Sequence, residues 1–254
     1  MHSIYSKIAI CINSISRVSV FFIAFLAALP TFAQDAAPTW IQVVIVQVKP
    51  GQAPEFEDRI RELMQGRQDA GLPLGNIFEV EAGSPGEYHI VVPMASMAEL
   101  DNPTPPMSPP EMAVWTSRTL PHIDSTHWFY ARLYPEFGIQ DDAGASANLL
   151  ILQSNRVVAG KQAEYLDWVA EYMMPAARES SIIGHTFSQG VFGDSPQNFY
   201  HAMPVANWAE FDTPNPLQQS LGQRGYDQLV DRLDGILEST SLTVATIRSD
   251  LMPQ

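Results

Sequence analysis

Residues 126–134 of this 254-residue chain concentrate side chains able to hold a small molecule. Read as a strand with period two, the segment puts Phe129, Ala131 and Leu133 on one face and Trp128, Tyr130, Arg132 and Tyr134 on the other. The first set is small and apolar and is expected to meet helices. The second is expected to face the space between two sheets, where aromatic walls and one guanidinium suit an acidic or phenolic ligand. The same aromatics could instead serve as packing between the sheets. His185 and His201 fall on two neighbouring strands of a later hairpin, where strand partners approach closely, and they complete the expected ligand-binding set. No metal is expected there, because no HExxH or two-histidine, one-carboxylate spacing surrounds them.

Nucleophile chemistry finds little support. Gly193-Asp194-Ser195 aligns with a hairpin turn, and GxSxG, P-loop and GxGxxG runs are absent. The duplicated acids Glu99 and Glu210 each end an S/N-x-x-E run, Ser96-Met97-Ala98-Glu99 and Asn207-Trp208-Ala209-Glu210, which reads as a helix start. Asp101 and Asp212 sit two residues before prolines, where a short helix must stop.

Composition narrows the partners. The chain carries 28 acidic against 14 basic side chains, a net charge of −14, with lysine only at positions 7, 49 and 161. Nucleic acid and anionic membrane surfaces are therefore disfavoured. Lys7 and Arg17 precede the apolar run at residues 18–29, which is too short to span a bilayer, and Thr31-Phe32-Ala33 offers small residues before a cut at Gln34. Residues 1–33 are thus expected to be a cleaved signal peptide, giving a periplasmic or secreted protein with no membrane contact after processing. The one cysteine, Cys11, would leave with it, which excludes thiol catalysis and thiolate metal sites from the mature chain.

The elements that must position these residues occur twice. Ten of the 26 positions from 80 to 105 are identical to those 111 residues later, four prolines among them. Upstream, Gly51, Glu55, Asp58, Glu62, Met64 and Phe78 match Gly160, Glu164, Asp167, Glu171, Met173 and Phe187. In the first copy, residues 40–49 read as a strand covered on both faces. Residues 53–69 read as an amphipathic helix burying Phe56, Ile60, Leu63 and Met64. Residues 76–81 and 88–92 read as a hairpin around Gly83-Ser84-Pro85-Gly86. A proline-interrupted helical region follows, then the strand at 126–134. The second copy predicts strands at 148–153, 184–191, 198–203 and 241–248, with helices at 162–178 and 216–237. The expected fold class is α+β: two tandem ferredoxin-like β-α-β-β-α-β units, at residues 40–135 and 148–250 about a linker at 136–147, packed sheet to sheet as an intramolecular α/β barrel.

The strand-Pro-Gly-helix opening Val48-Lys49-Pro50-Gly51…Glu55-Phe56-Glu57 resembles the dimeric α/β-barrel superfamily. So does the block Tyr88…Pro93-Met94-Ala95-Ser96-Met97-Ala98-Glu99-Leu100-Asp101 with its second copy. That superfamily includes antibiotic-biosynthesis-type monooxygenases, NIPSNAP-like proteins, haem-degrading monooxygenases and chlorite-dismutase-like haem proteins, and this chain resembles an exported, tandem-repeat member. The resemblance implies a central barrel whose interior holds a small, often aromatic or haem-like ligand. Haem-degrading relatives use an Asn, a Trp and a His; here Asn148 opens a strand and Trp208 a helix, with no His in a matching helical position, so no cofactor is expected. The expected function is binding of a small apolar or aromatic ligand by a monomer or homodimer. The alternatives are a cofactor-independent monooxygenase acting on a small aromatic substrate, and a non-catalytic structural or interaction module.

Overall fold

The computed structural model describes residues 39–101, 113, 115–140 and 147–253. The expected signal peptide and the proline-rich run 102–110 lie outside the described residues. Within them the order is β1 (Trp40–Val48), α1 (Ala53–Asp69), β2 (Asn76–Ala82), β3 (Glu87–Met94), β4 (Ile123–Leu133), β5 (Ile139–Gln140) and β6 (Leu149–Val157). Helix α2 follows, running from Gln162–Trp168 through Val169–Met173 to Met174–Arg178, and then β7 (Gly184–Phe192), β8 (Asn198–Val205), α3 (Pro216–Asp231) and β9 (Leu237–Ile247). No helix among the described residues is long and apolar enough to cross a membrane.

Local chemistry accounts for these elements. Helix α1 has a proline in its first turn, where no amide partner is required, with Glu55 in that turn and Arg67 in the last to complement the helix dipole. Phe56, Ile60 and Met64 are its buried stripe. Helix α2 widens to a π turn at Val169–Met173, just before Pro175, whose missing N–H cannot serve the carbonyl one turn back. Helix α3 starts where the Asn215 side chain accepts from Gln218 N at 2.9 Å, kinks at Gly222 and stops at Asp231, earlier than the apolar pattern to residue 237 predicts. Strand β4 begins three residues before its expected start, β6 runs four residues past its expected end, and β9 is shifted toward the N-terminus. The two acidic cap residues act as their spacing predicts: Glu99 Oε1 accepts from Ala95 N at 2.6 Å, and Glu210 Oε1 from Ala206 N at 3.3 Å.

The strands form two four-stranded antiparallel sheets with the same order, β4-β1-β3-β2 and β9-β6-β8-β7. They join edge to edge, β2 to β9 through Phe78↔Ile247 and β4 to β7 through Tyr130↔Phe192, which closes an eight-stranded α+β barrel. Closure leaves no unpaired edge on either sheet. Register makes the halves comparable residue by residue. Val44 stands between Ile90 and Trp128, as Gln153 stands between His201 and Leu242. Ile77 opposes Ile90 as Phe187 opposes His201, so the structural counterpart of Phe187 is Ile77, one residue from the sequence match at Phe78. Each half packs its helices against the outer face of its own sheet, around Phe56, Ile60 and Tyr88 in one and Tyr165, Phe187 and Phe199 in the other. A third cluster of Val43, Phe129 and Ala131 lies on the inner face, with Tyr200 from the second half.

The β4–β7 seam is tight. Gly193 has φ +79°, and a Cβ there would come within 2.7 Å of Trp128 O. Gly193→Ala is expected to cost about 1–3 kcal/mol through strain and backbone displacement. Gly160→Ala, at φ +84° with open space around it, should show only the backbone part, about 1 kcal/mol. Urea melts of both variants check this; equal losses would mean that the seam is not close-packed at Gly193.

Candidate functional site

Two regions combine burial with polar chemistry, one in each half. In the first, a cleft of about 270 Å³ opens between α1 and the outer face of β1, β3 and β4. Strand residues Gln42, Val44, Ile90, Val92, Thr126 and Trp128 form its floor and one side, and Leu63, Met64, Arg67 and Trp115 form the other. Arg67 is buried and donates through Nε and Nη2 to Pro73 O at 3.1 and 2.9 Å, which ties the end of α1 to the loop after it. Gln42 is also buried, and its Nε2 donates to Tyr130 Oη at 3.3 Å. The second half has Ile151 and Val244 at the places of Gln42 and Tyr130. The fold therefore does not require a polar pair there.

The aromatic strand lies on the opposite face from the one its pattern suggests. Phe129 and Ala131 turn into the barrel, where Phe129 meets the Tyr200 ring at 5.4 Å. Trp128, Tyr130 and Arg132 point outward, Trp128 being 56% exposed and lining the cleft. The reason is packing: barrel closure brings this face against Val43 and the Tyr200 ring of the second half, so the smaller, apolar set packs inward and the larger, polar-tipped set takes the outer face. Tyr134 lies past the end of β4 and packs on Phe137 and Phe187 in the second half's outer core, its hydroxyl donating to Gln189 Oε1 at 2.7 Å. The Arg132 guanidinium sits 5.4 Å over the Tyr134 ring.

His185 and His201 do meet, but in the helix-facing core of the second half. His185 Nε2 and His201 Nδ1 are 2.9 Å apart, and both side chains are almost fully buried. His201 Nε2 lies 2.7 Å from Tyr165 Oη, which accepts from Asn155 Nδ2 at 2.6 Å. Asn155 Oδ1 accepts from Thr240 Oγ1 and Gln153 Nε2. The far end is His185 Nδ1, 2.7 Å from Phe137 O. A carbonyl only accepts, so His185 Nδ1 carries a proton, and in the neutral ring that burial favours His185 Nε2 accepts. His201 then donates from Nδ1 and accepts at Nε2, and Tyr165 donates to it. Every bond in the chain is thereby polarised in one direction, with both imidazoles neutral. Burial lowers the pKa of both, His201 to about 3 with the neighbouring His185 adding to the effect. A separation of 2.9 Å between ring nitrogens leaves no room for a metal ion between them.

Register shows how specific this chain is to one half. Asn155, Tyr165 and His201 correspond to Val46, Phe56 and Ile90, all buried and apolar. Sequence reasoning found the two histidines but missed Asn155 and Tyr165. The helical stripe of α2 hides Tyr165 as an ordinary core aromatic. A third cluster is structural: Arg248 bridges Glu57, Glu79 and Asp250, and the Tyr88 hydroxyl donates to Glu57 at 2.8 Å. It pins the segment after β9 onto the first half.

No family model matches the chain, and no curated protein sequence is significantly similar to it. Solved structures do match. One, described as a provisional monooxygenase from Lactobacillus acidophilus NCFM, superposes with a TM-score of 0.57 at 12% identity, covering 83% of this chain and 93% of its own. An anthrone oxidase-like protein gives 0.55 at 13% identity, covering 83% and 91%. A chlorite dismutase mutant from Candidatus Nitrospira defluvii gives 0.53 at 9% identity, covering 85% and 95%. At such identities the likeness is one of fold, and the fold is that of the dimeric α+β barrels.

The histidine chain sets a pH dependence. With folded pKa values lowered below the unfolded value of about 6.5, the unfolded state binds protons that the native state does not. Stability is expected to be full above about pH 6.5 and to fall as pH drops from there toward 3. His201→Ile, which installs the first-half residue, should cost about 1–3 kcal/mol at pH 7 by orphaning the Tyr165 hydroxyl and His185 Nε2. It should also flatten the acid limb. Urea melts at pH 5 and 7 for both proteins check this; an unchanged slope in the variant would remove the histidine pair as its source.

Proposed function

We propose that this chain is an exported small-molecule-binding protein whose ligand, small and largely apolar or aromatic, occupies the cleft on the outer face of its first half. The observation that carries this reading is the cleft itself: apolar walls, two tryptophans, and the buried Gln42 amide, whose one side-chain hydrogen bond among the described residues is 3.3 Å long, where the second half has isoleucine. A buried amide with spare hydrogen-bonding capacity costs stability unless something meets it. A ligand hydroxyl or carbonyl over Gln42 and Tyr130 would do so. The two halves are read as copies of one ferredoxin-like unit, on the repeated sequence blocks and the common strand order. Export rests on the charged, apolar and small-residue pattern of residues 1–33.

A cofactor-independent monooxygenase is the second reading, supported by structural likeness to proteins described as monooxygenases and as anthrone oxidase-like. The described residues lining the cleft include no carboxylate and no imidazole, which favours binding over proton-transfer chemistry.

Two measurements test the reading. Leu63→Trp, which fills the cleft from α1, should leave the fold intact and weaken binding of a naphthol probe at least tenfold by tryptophan quenching. Unchanged affinity would place the ligand elsewhere. Protein recovered from the cell envelope should have an intact mass starting at Gln34; a mass retaining Cys11 would contradict export with cleavage.

A further inference from the structure

The cleft does not end at Trp128. On the outer face, strand register lays the neighbouring side chains in rows: Val44 beside Trp128, then Gln42–Tyr130–Phe192, then Trp40–Arg132–Gln189. The first members come from β1, the second from β4, and Phe192 and Gln189 from β7 in the second half. The Trp40 and Phe192 rings stack at 6.4 Å with planes 17° apart, and Phe192 is 55% exposed. An aromatic strip therefore leaves the cleft at Trp128, passes Tyr130 and crosses the β4–β7 seam.

At its far end stands Arg132, exposed and resting on the Tyr134 ring, with no ion pair to any described residue. Four residues of strand put it about 13 Å from Trp128. Exposed aromatic side chains next to an apolar cleft form a patch of the kind that marks binding surfaces. In a chain of net charge −14, general attraction for anions is absent, so an uncompensated guanidinium at the end of that patch is a local feature.

We infer that the ligand is an organic anion longer than the cleft, with its apolar body over Trp128 and Tyr130 and its acid group on Arg132, so that it lies across the seam between the two halves. The inference rests on the cleft reading above and adds the charge and length of the ligand. Arg132 would contribute a charge-assisted hydrogen bond, and Phe192 and Trp40 a platform that only the closed barrel assembles.

A matched pair of fluorescent probes tests it on the full mature chain. Anilinonaphthalene sulfonate and neutral phenylnaphthylamine share their rings and differ in the acid group. Wild type should bind both. Arg132→Gln should weaken the sulfonate about tenfold and leave the neutral probe unchanged, while Arg132→Lys restores part of the loss. Phe192→Ala, a second-half substitution, should weaken the sulfonate severalfold, with thermal melts confirming that each variant is folded. Equal sulfonate affinity in wild type and Arg132→Gln would overturn the assignment of Arg132, and an unaffected Phe192→Ala would overturn the seam-spanning pose. Both results leave the cleft reading standing if the neutral probe still binds; failure of both probes to bind wild type would end both proposals.

Discussion

Closure of the two sheets on each other is the constraint from which the other features follow. A four-stranded β4-β1-β3-β2 sheet with helices on one face has two open edges that invite further pairing and a second face that here is apolar and has to be covered. Here β2 pairs with β9 and β4 with β7, so one chain satisfies both edges and turns both bare faces inward. An eight-stranded barrel has a narrow interior, and here Phe129 and Ala131 of β4 fill part of it against Val43 and Tyr200. Trp128, Tyr130 and Arg132 alternate with these residues and look outward. The proposed ligand cleft, the exposed Trp128 and the seam at Phe192 are thus consequences of how the barrel closes.

Common topology does not impose common chemistry. Where the first half has Gln42 and Tyr130, the second has Ile151 and Val244; where the second has Asn155, Tyr165 and His201, the first has Val46, Phe56 and Ile90. Each half shows that the other's polar residues are dispensable to the fold, since apolar residues fill the same places. Buried polar groups are tolerated only when their hydrogen bonds are completed. In the second half the protein completes them itself, from Thr240 through to the Phe137 carbonyl. That carbonyl belongs to the stretch just after β4, so the histidine chain also fastens the exit of the first half onto the core of the second. In the first half Gln42 has, among the described residues, one side-chain bond of 3.3 Å and an adjoining space, and this contrast is what separates a packing network from a candidate binding site.

Much of the architecture was legible. The β-branched run of β1, the Phe56, Ile60 and Met64 stripe of α1 and the Gly-Pro hairpins translate directly into elements, because each rests on local periodicity. Self-comparison pointed to two units of one element order, while the edges they share, β2 with β9 and β4 with β7, are seen only in the structure. The site was harder to see. Alternation along β4 separates two faces but does not say which is inside; the pairing of β4 with β1 and β7 in the closed barrel decides that. Asn155 was missed because β6 was expected to stop at Gln153; a polar residue after an apolar run resembles a strand end until its partners on α2 and β9 are known. Gln42 gave no signal beyond being one of two amides, with Gln47, set between apolar neighbours of β1, and its correspondence with Ile151 is the clue that sequence comparison of the halves contains.

Side-chain NMR of the isotopically labelled protein with a naphthol probe reads directly on which side of the barrel wall the proposed ligand sits. Binding in the outer cleft predicts shifts of the Gln42 side-chain amide and of the Trp115 and Trp128 indole N–H signals, with the Ala131 methyl and the Tyr200 ring unmoved. Shifts confined to Ala131, Phe129 and Tyr200 would put the ligand inside the barrel and contradict the account.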